Sequence, residues 1–333
     1  MTRPARRGAR FDRSAIVDLS RADARYQVQR EDFELADRGA SGCCRRMRCH
    51  AAQSTGPRSV LPLVTFYVTS GDMMPPIAHD RDGRSPRRRV FQLPQELVLV
   101  QARMSVANAF LVRRGARAML VDTGSTGDLP RIAALLREQG LNPGSVAIVV
   151  LTHGHADHAG TASQLQALGM PILAGRGDAA TLARGSNGRL SPQSLFARLL
   201  TRLVQHAFVP IRASHWLDGP MNLGSWGFAD VSIESLPGHT AGSLVITLPG
   251  DVVLAGDLIL GGHCNGALWP QRPLQHYFQD DAEANRRNVE LLLARGTRRF
   301  FVGHGGPIDA DAVRPWLAAM RPTPSRCGFW RKP

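Results

Sequence analysis

The stretch Val149-Val150-Leu151-Thr152-His153-Gly154-His155-Ala156-Asp157-His158-Ala159-Gly160 places three histidines and one aspartate within six residues. Alternate side chains of an extended segment point the same way, so His153 and His155 can grip one ion together, while Asp157 and His158 lie further along. One loop can therefore serve two ions. Imidazole and carboxylate donors without thiolates suit zinc, with iron, manganese or cobalt as competitors. The apolar run Val146 to Leu151 reads as a buried strand that delivers the cluster to one point, and small residues surround it.

The chain has 333 residues, 43% of them hydrophobic, an ordinary globular composition with material for a sizeable core. No apolar run approaches the ~18 to 20 residues of a membrane span, and the longest candidate, Val60 to Val68, is interrupted by Pro62. Arg3, Arg6, Arg7 and Arg10 are not followed by the apolar core of a secretory signal. The expectation is a soluble, cytoplasmic protein with no membrane partner. Cys43, Cys44, Cys49, Cys264 and Cys327 form no CxxC pair, which argues against a disulfide framework, and Cys264 reads as a half-buried small apolar residue.

A formal charge of +14 points at first to an acidic partner. Residues 1–90, however, hold 18 arginines against 10 acidic residues, so a net +8 belongs to this stretch and +6 to the other 243 residues. No nucleic-acid partner is expected on that distribution. Residues 1–90 read as an Arg-rich, mostly disordered leader with a short helix at about Asp12 to Ala36.

From Leu97 the texture changes. Leu97 to Ala102, Val106 to Val112 and Ala116 to Val121 read as an antiparallel meander ending at Asp122-Thr123-Gly124. Asp128 to Gln139 has helical spacing and stops at Gly140; Ala159 to Leu168 reads as one helix and Pro171 to Ala174 as a strand. Residues 176–225 break the alternation and read as an insertion, either a lid over the substrate or a packing helix. Strands Val231 to Leu236, Leu244 to Leu248, Val252 to Ala255 and Arg299 to Val302 follow, with helices at Asp281 to Ala294 and about Asp309 to Met320. The folded domain is expected over 91–322, with a tail at 323–333.

Four strand ends thus carry a metal-competent residue beside glycine: the His153 cluster, His239 in Pro237-Gly238-His239, Asp257 in Gly256-Asp257, and His304 in Gly303-His304-Gly305. Glycine lets the backbone turn sharply and a substrate come close, so the recurrence points to one convergent site. Seven ligands exceed the needs of one zinc. They divide into His153, His155 and His239 for one ion, and Asp157, His158 and His304 for the other, with Asp257 bridging.

These motifs, in this order over about Leu97 to Met320, resemble the successive metal motifs of the metallo-β-lactamase superfamily. The resemblance implies an α+β fold, a four-layer αββα sandwich with the metals at one edge, and the ligand division just given. It also makes Asp122 the acceptor that fixes a metal-bound imidazole. True β-lactamases of the superfamily have cysteine or serine at the place of Asp257, so the chain is more similar to its glyoxalase II, lactonase and phosphodiesterase-like hydrolases. Leu260 stands where lactonases that open acyl-homoserine lactones set a tyrosine.

The expected function is a dinuclear metal-dependent hydrolase of a small-molecule ester, lactone or thioester, with two divalent ions, zinc foremost and iron or manganese as alternatives. A hydroxide shared by two ions is a nucleophile at neutral pH, and Asp157 is the candidate catalytic residue that orients it and moves the proton. The alternatives are a phosphodiesterase or nuclease of the same superfamily, or a mononuclear iron persulfide dioxygenase. Elemental analysis of metal-loaded protein is expected to give about two ions per chain; one or none would refute the dinuclear reading.

Overall fold

Period-two alternation along neighbouring strands sets the architecture. A computed structural model describes residues 88–320 and the two-residue strand β1, Phe66–Tyr67. The helix expected at Asp12 to Ala36, Cys43, Cys44, Cys49 and Cys327, the tail 323–333 and most of the expected leader lie outside these residues. The first sheet runs in chain order: β1, β2 (Arg88–Gln92), β3 (Val98–Arg103), β4 (Asn108–Arg114), β5 (Arg117–Val121), β6 (Val146–Leu151), β7 (Ile172–Gly175) and β8 (His215–Leu217). It is antiparallel from β2 to β5 and parallel from β5 to β8.

The second sheet contains β9 (Met221–Leu223), β10 (Phe228–Ser235), β11 (Leu244–Leu248) and β12 (Val252–Leu254). A separate hairpin, β13 (Leu260–His263) with β14 (Leu268–Leu274), precedes β15 (Arg299–Phe301) and β16 (Ile308–Asp309), which complete that sheet. There β12 pairs with β15 in parallel and every other pairing is antiparallel.

Phe110, Val112, Met119, Val121, Ile148 and Val150 point from the first sheet into a core shared with Val231, Ile233, Ile246, Leu254 and Phe301 of the second. Their strand neighbours Leu111, Leu120, Val149 and Leu151 point the other way, onto Ile132, Leu135 and Leu136 of α1 (Leu129–Glu138) and Leu165. The outer face of the second sheet offers Val245, Val253 and Phe300 to helices near the C-terminus, which answer with Val289, Leu292, Val313 and Leu317. Both faces of both sheets are thereby covered, giving the four-layer αββα order that the motif resemblance implied.

Two expectations change. The helix expected at Ala159 to Leu168 is two short ones, α2 (Ala156–Ala159) and α3 (Ala162–Ala167). They are separated where Gly160 packs so closely that a Cβ would lie 2.3 Å from the Thr126 nitrogen. Gly160 N–H and Thr161 Oγ1–H donate to the carbonyls of Gly124 and Thr123, so the chain is tied to the Asp122 turn instead of continuing. Strand β1 and the first three residues of β2 also lie inside the stretch read as leader; for β2 the Arg87-Arg88-Arg89 run hides an alternation that only its pairing with β3 reveals. Later helices are α4 (Ala179–Arg184), α5 (Leu195–Val204), α6 (Ala282–Ala294) and α7 (Ala310–Ala319). Ser194 Oγ caps α5 and the Asp281 carboxylate caps α6, each accepting from a backbone N–H three residues on. No helix among the described residues is long and apolar enough to cross a membrane.

The phenyl ring of Phe301 joins the two sheets, meeting Phe91 edge-on at 4.9 Å and Phe110 at 6.0 Å between centroids. Phe301→Ala is expected to cost about 3 to 5 kcal/mol through lost burial and the cavity left behind. Urea unfolding measures it; a change below about 1 kcal/mol would show that the sheets do not depend on this ring.

Candidate metal centre

Strands β5, β6, β7, β12 and β15 all end at one edge of the sandwich, and the residues just past each end supply the site. His153 lies two residues past β6, α2 carries Asp157 and His158 in its single turn, and His239, Asp257 and His304 lie on the turns after β10, β12 and β15. His155 Nδ1 and His239 Nε2 are 3.0 Å apart. His304 Nε2 is 3.3 Å from both Asp157 Oδ2 and Asp257 Oδ2. Asp257 Oδ2 also lies 3.7 Å from His239 Nε2 and 3.9 Å from His153 Nε2, and His158 Nε2 is 3.5 Å from Asp257 Oδ1. All seven residues expected from the sequence are therefore in one cluster, in groupings that include His153 with His155 and His239, and Asp157 with His158 and His304.

These spacings fit cations. Two donors on one tetrahedral zinc at about 2.0 to 2.1 Å stand about 3.4 Å apart, within the range of separations here. His153 Nε2, His158 Nε2 and Asp257 Oδ1 are buried with no hydrogen-bond partner, a costly state for polar atoms unless something else satisfies them. Gly303 allows the close approach: a Cβ there would lie 2.1 Å from Asp257 Oδ1 and 2.5 Å from the His158 ring.

The rear of the cluster is held by hydrogen bonds. Asp122, fully buried, accepts from Thr152 N–H and Thr152 Oγ1, and its Oδ2 lies 2.8 Å from His158 Nδ1. In a neutral His158 with its proton on Nδ1, the Nε2 lone pair would face the cluster. Asp122 has a φ of 60°, strained for a non-glycine residue, and these bonds hold it there. Across the site, Arg89, Gln101 and Asn108 of β2, β3 and β4 all donate to carbonyls of the turn around His304, at Gly306, Gly305 and Val302. Strand β2 is thus part of the support for the last histidine.

Electrostatics divide the cluster in two. Burial, reinforced by neighbouring imidazoles, holds His153 and His239 well below the ordinary histidine value. Burial also brings His155 to about 4 against the pull of Asp157 and Asp257. These three are neutral at pH 7, the state in which imidazole offers a lone pair. For His158 and His304 burial acts in the same direction, but Asp257 with Asp122 or Asp157 outweighs it; His158 rises well above its ordinary value and His304 to about 9. Burial raises Asp157 and Asp257, yet the adjacent histidines outweigh it and hold both below the carboxylate range.

Two residues escaped the sequence reading. His276, from the irregular stretch before α6, lies with Nε2 3.0 Å from Asp257 Oδ2 and groups with His239 and Asp257. Asp178, just past β7, is 3% exposed and accepts from Gly154 N–H, Gly242 N–H and Thr240 Oγ1, so it joins the His153 loop to the His239 loop. Burial raises its pKa against those three bonds. Cys264 is exposed at the β13–β14 turn instead of half-buried. The 176–225 segment contributes Arg184, Arg189 and Leu190 to a cavity of about 250 Å³ that opens onto His155 and His239.

Asp178→Ala would strand two buried N–H groups and a hydroxyl, at about 1 to 3 kcal/mol each. The expected result is a stability loss of at least about 3 kcal/mol in urea, with weaker metal retention. A variant as stable as the parent would show that the two loops hold without it.

The Metallo-beta-lactamase superfamily model matches residues 103–304. A hydroxyacylglutathione hydrolase from Dechloromonas aromatica is 29% identical over 166 residues, which cover 50% of this chain and 48% of that protein. A beta-lactamase-like protein 2 homolog from Drosophila melanogaster is 26% identical over 204 residues, 61% of this chain and 59% of that one. The matches thus span about half to three-fifths of these relatives' length. Among solved structures, the metallo-beta-lactamase SMB-1 is similar at a TM-score of 0.47 and 20% identity, covering 65% of this chain and 79% of that one. A beta-lactamase from Chitinophaga pinensis is similar at 0.45 and 18%, with coverages of 65% and 77%. The match to the family model takes in the His153 cluster, His239, Asp257 and His304, and the chain belongs to the metallo-β-lactamase superfamily.

Proposed function

We propose that this protein is a hydrolase that holds two divalent cations, zinc foremost, and cleaves a small ester, lactone or thioester. The observation that carries the reading is the convergence of buried donor atoms without protein partners, His153 Nε2, His158 Nε2 and Asp257 Oδ1, on one point. His153, His155 and His239 would hold one cation, Asp157, His158 and His304 the other, and Asp257 both. Such a pair supplies a nucleophile from water at neutral pH and an electrophile for the scissile carbonyl.

The protein's own groups divide the remaining work. Asp157 has a side chain 26% exposed against 3% for Asp257, so it is the acid that solvent and substrate can reach and the one suited to orient the nucleophile. Asp257, enclosed by imidazoles, is the fixed charge between the two ligand groups. His276 is a positioning residue for it. Phe278 N–H donates to His276 Nδ1 at 3.2 Å, which leaves the ring proton on Nε2 to donate to Asp257 Oδ2. In the opposite tautomer Nδ1–H donates to the Phe278 carbonyl at 3.0 Å and Nε2 would face a cation. Arg184 and Arg189 on the cavity wall suit a substrate that carries negative charge beside its acyl group. The relative named hydroxyacylglutathione hydrolase supports an acyl substrate over a phosphodiester.

The test pairs metal content with turnover on lactones, thioesters, aryl esters and phosphodiesters. Asp257→Asn is expected to weaken one cation by about 10- to 100-fold and to lower turnover more than melting temperature. His276→Ala should act in the same direction, and His276→Gln, which keeps an N–H donor, should recover most of the loss. Full turnover with two ions in Asp257→Asn would end the dinuclear hydrolase reading; no recovery by glutamine would make His276 a ligand.

A further inference from the structure

Six large hydrophobic side chains stand exposed among the described residues, and five lie on two neighbouring elements beside the mouth of the site. Leu195, Phe196 and Leu199 on α5 are 77%, 56% and 77% exposed; Leu268 and Trp269 on β14 are 50% and 65% exposed. Ring contacts connect the two groups. Phe196 lies 5.9 Å from Tyr277, whose hydroxyl is 3.3 Å from His263 Nδ1, and the His263 ring is 6.1 Å from Trp269. Tyr277 directly follows His276. On its inner side α5 sets Ala197, Leu200 and Val204 against Leu190, Tyr277 and Phe278, and Leu190 lines the cavity with His155 and His239. The exposed side chains therefore form an apolar collar sharing its walls with the metal cavity.

Within the stretches that carry this collar the charge has one sign. Residues 179–217 and 258–279, which carry it, contain Arg184, Arg189, Arg198, Arg202, Arg212 and Arg272 and no aspartate or glutamate, in a chain with 27 acids. Four acids bound these stretches: Asp178 and Asp257 are buried, Asp218 is paired with Arg176, and Asp280 is exposed and accepts a hydrogen bond from Ser191. On α5 itself, Arg198 and Arg202 alternate with the leucines.

We propose that the collar docks on an anionic lipid surface. A short helix with outward Leu and Phe and flanking Arg can lie in an interface with its apolar side chains among acyl chains and its guanidiniums among acidic headgroups. A second copy fits less well, since twofold pairing would set this arginine-rich face against itself. The Arg-rich residues before the domain carry the same sign and are equally poor occupants. The lack of a spanning helix among the described residues bears on crossing a bilayer, not on lying on one. The inference rests on the collar and is tested without catalysis, so it stands or falls apart from the hydrolase reading.

The experiment is co-sedimentation of the full chain with vesicles of phosphatidylcholine alone or mixed with phosphatidylglycerol, at low and high salt. The comparison is Leu195→Ser with Leu199→Ser, which changes no charge and leaves every arginine, including those before the domain, as it was. The parent should bind the mixed vesicles, and the double variant should partition about tenfold or more weakly. Tryptophan emission should shift to the blue on binding, and Trp269→Phe should remove that shift. Because both leucines are exposed, unchanged melting and metal content of the double variant certify its fold. Equal partitioning of parent and variant, or no binding by the parent, would overturn the proposal. So would a parent that sediments as a dimer without lipid while the variant sediments as a monomer, which assigns the collar to a second copy.

Discussion

A buried carboxylate ringed by imidazoles is the constraint on which the rest of the structure depends. Asp257 is 4% exposed, and His153, His158, His239, His276 and His304 all come within 3.9 Å of its oxygens. Lone pairs brought this close repel unless protons or cations lie between them, so the fold must hold the cluster against its own electrostatics. Gly303 clears the space, Asp122 fixes the ring of His158, Asp178 locks two loops together, and the buried Arg89, Gln101 and Asn108 grip the turn at His304. Behind them the two sheets supply stiffness through a core that alternates residue by residue.

The parts legible in the sequence were those written in short-range patterns. His153, His155, Asp157 and His158 share one loop, and His239, Asp257 and His304 each follow an apolar run and a glycine, so spacing alone groups them. The alternation in Phe110 to Val112, Met119 to Val121 and Ile148 to Leu151 likewise announces strands covered on both faces. Asp178 could not be read this way, because its role comes from three partners at 154, 240 and 242 that only the folded chain brings together. His276 lies two residues past β14, but Pro270 and Pro273 hide that strand in the sequence and no glycine marks its end; its signal is a histidine in an acid-free stretch between two ligand motifs, weak without coordinates. Arg89 looked like part of a charge run until pairing with Gln101 placed it inside.

The two faces of the 176–225 segment connect the chemistry to its surroundings. Inward, Arg184, Arg189 and Leu190 shape the space beside His155 and His239; outward, α5 presents bulk that a surface helix ordinarily hides. The same helix that packs behind Leu190 and Phe278 of the cavity wall also carries the exposed half of the collar.

The ligand set is distributed between the halves of the sandwich. His153, His155, Asp157 and His158 follow a strand of the first sheet, whereas His239, Asp257 and His304 follow strands of the second. A cation held by both sets is a clasp across the interface between the sheets, formed only when both have folded and docked. A partly folded chain would present only one set of these donors, so a bound ion would favour the native state. By thermodynamic linkage, stability would then rise with the logarithm of free metal once the dissociation constant is exceeded. Starvation for the ion would reach this protein first through its lifetime as a folded molecule, because the same atoms that define the reaction centre close the sandwich.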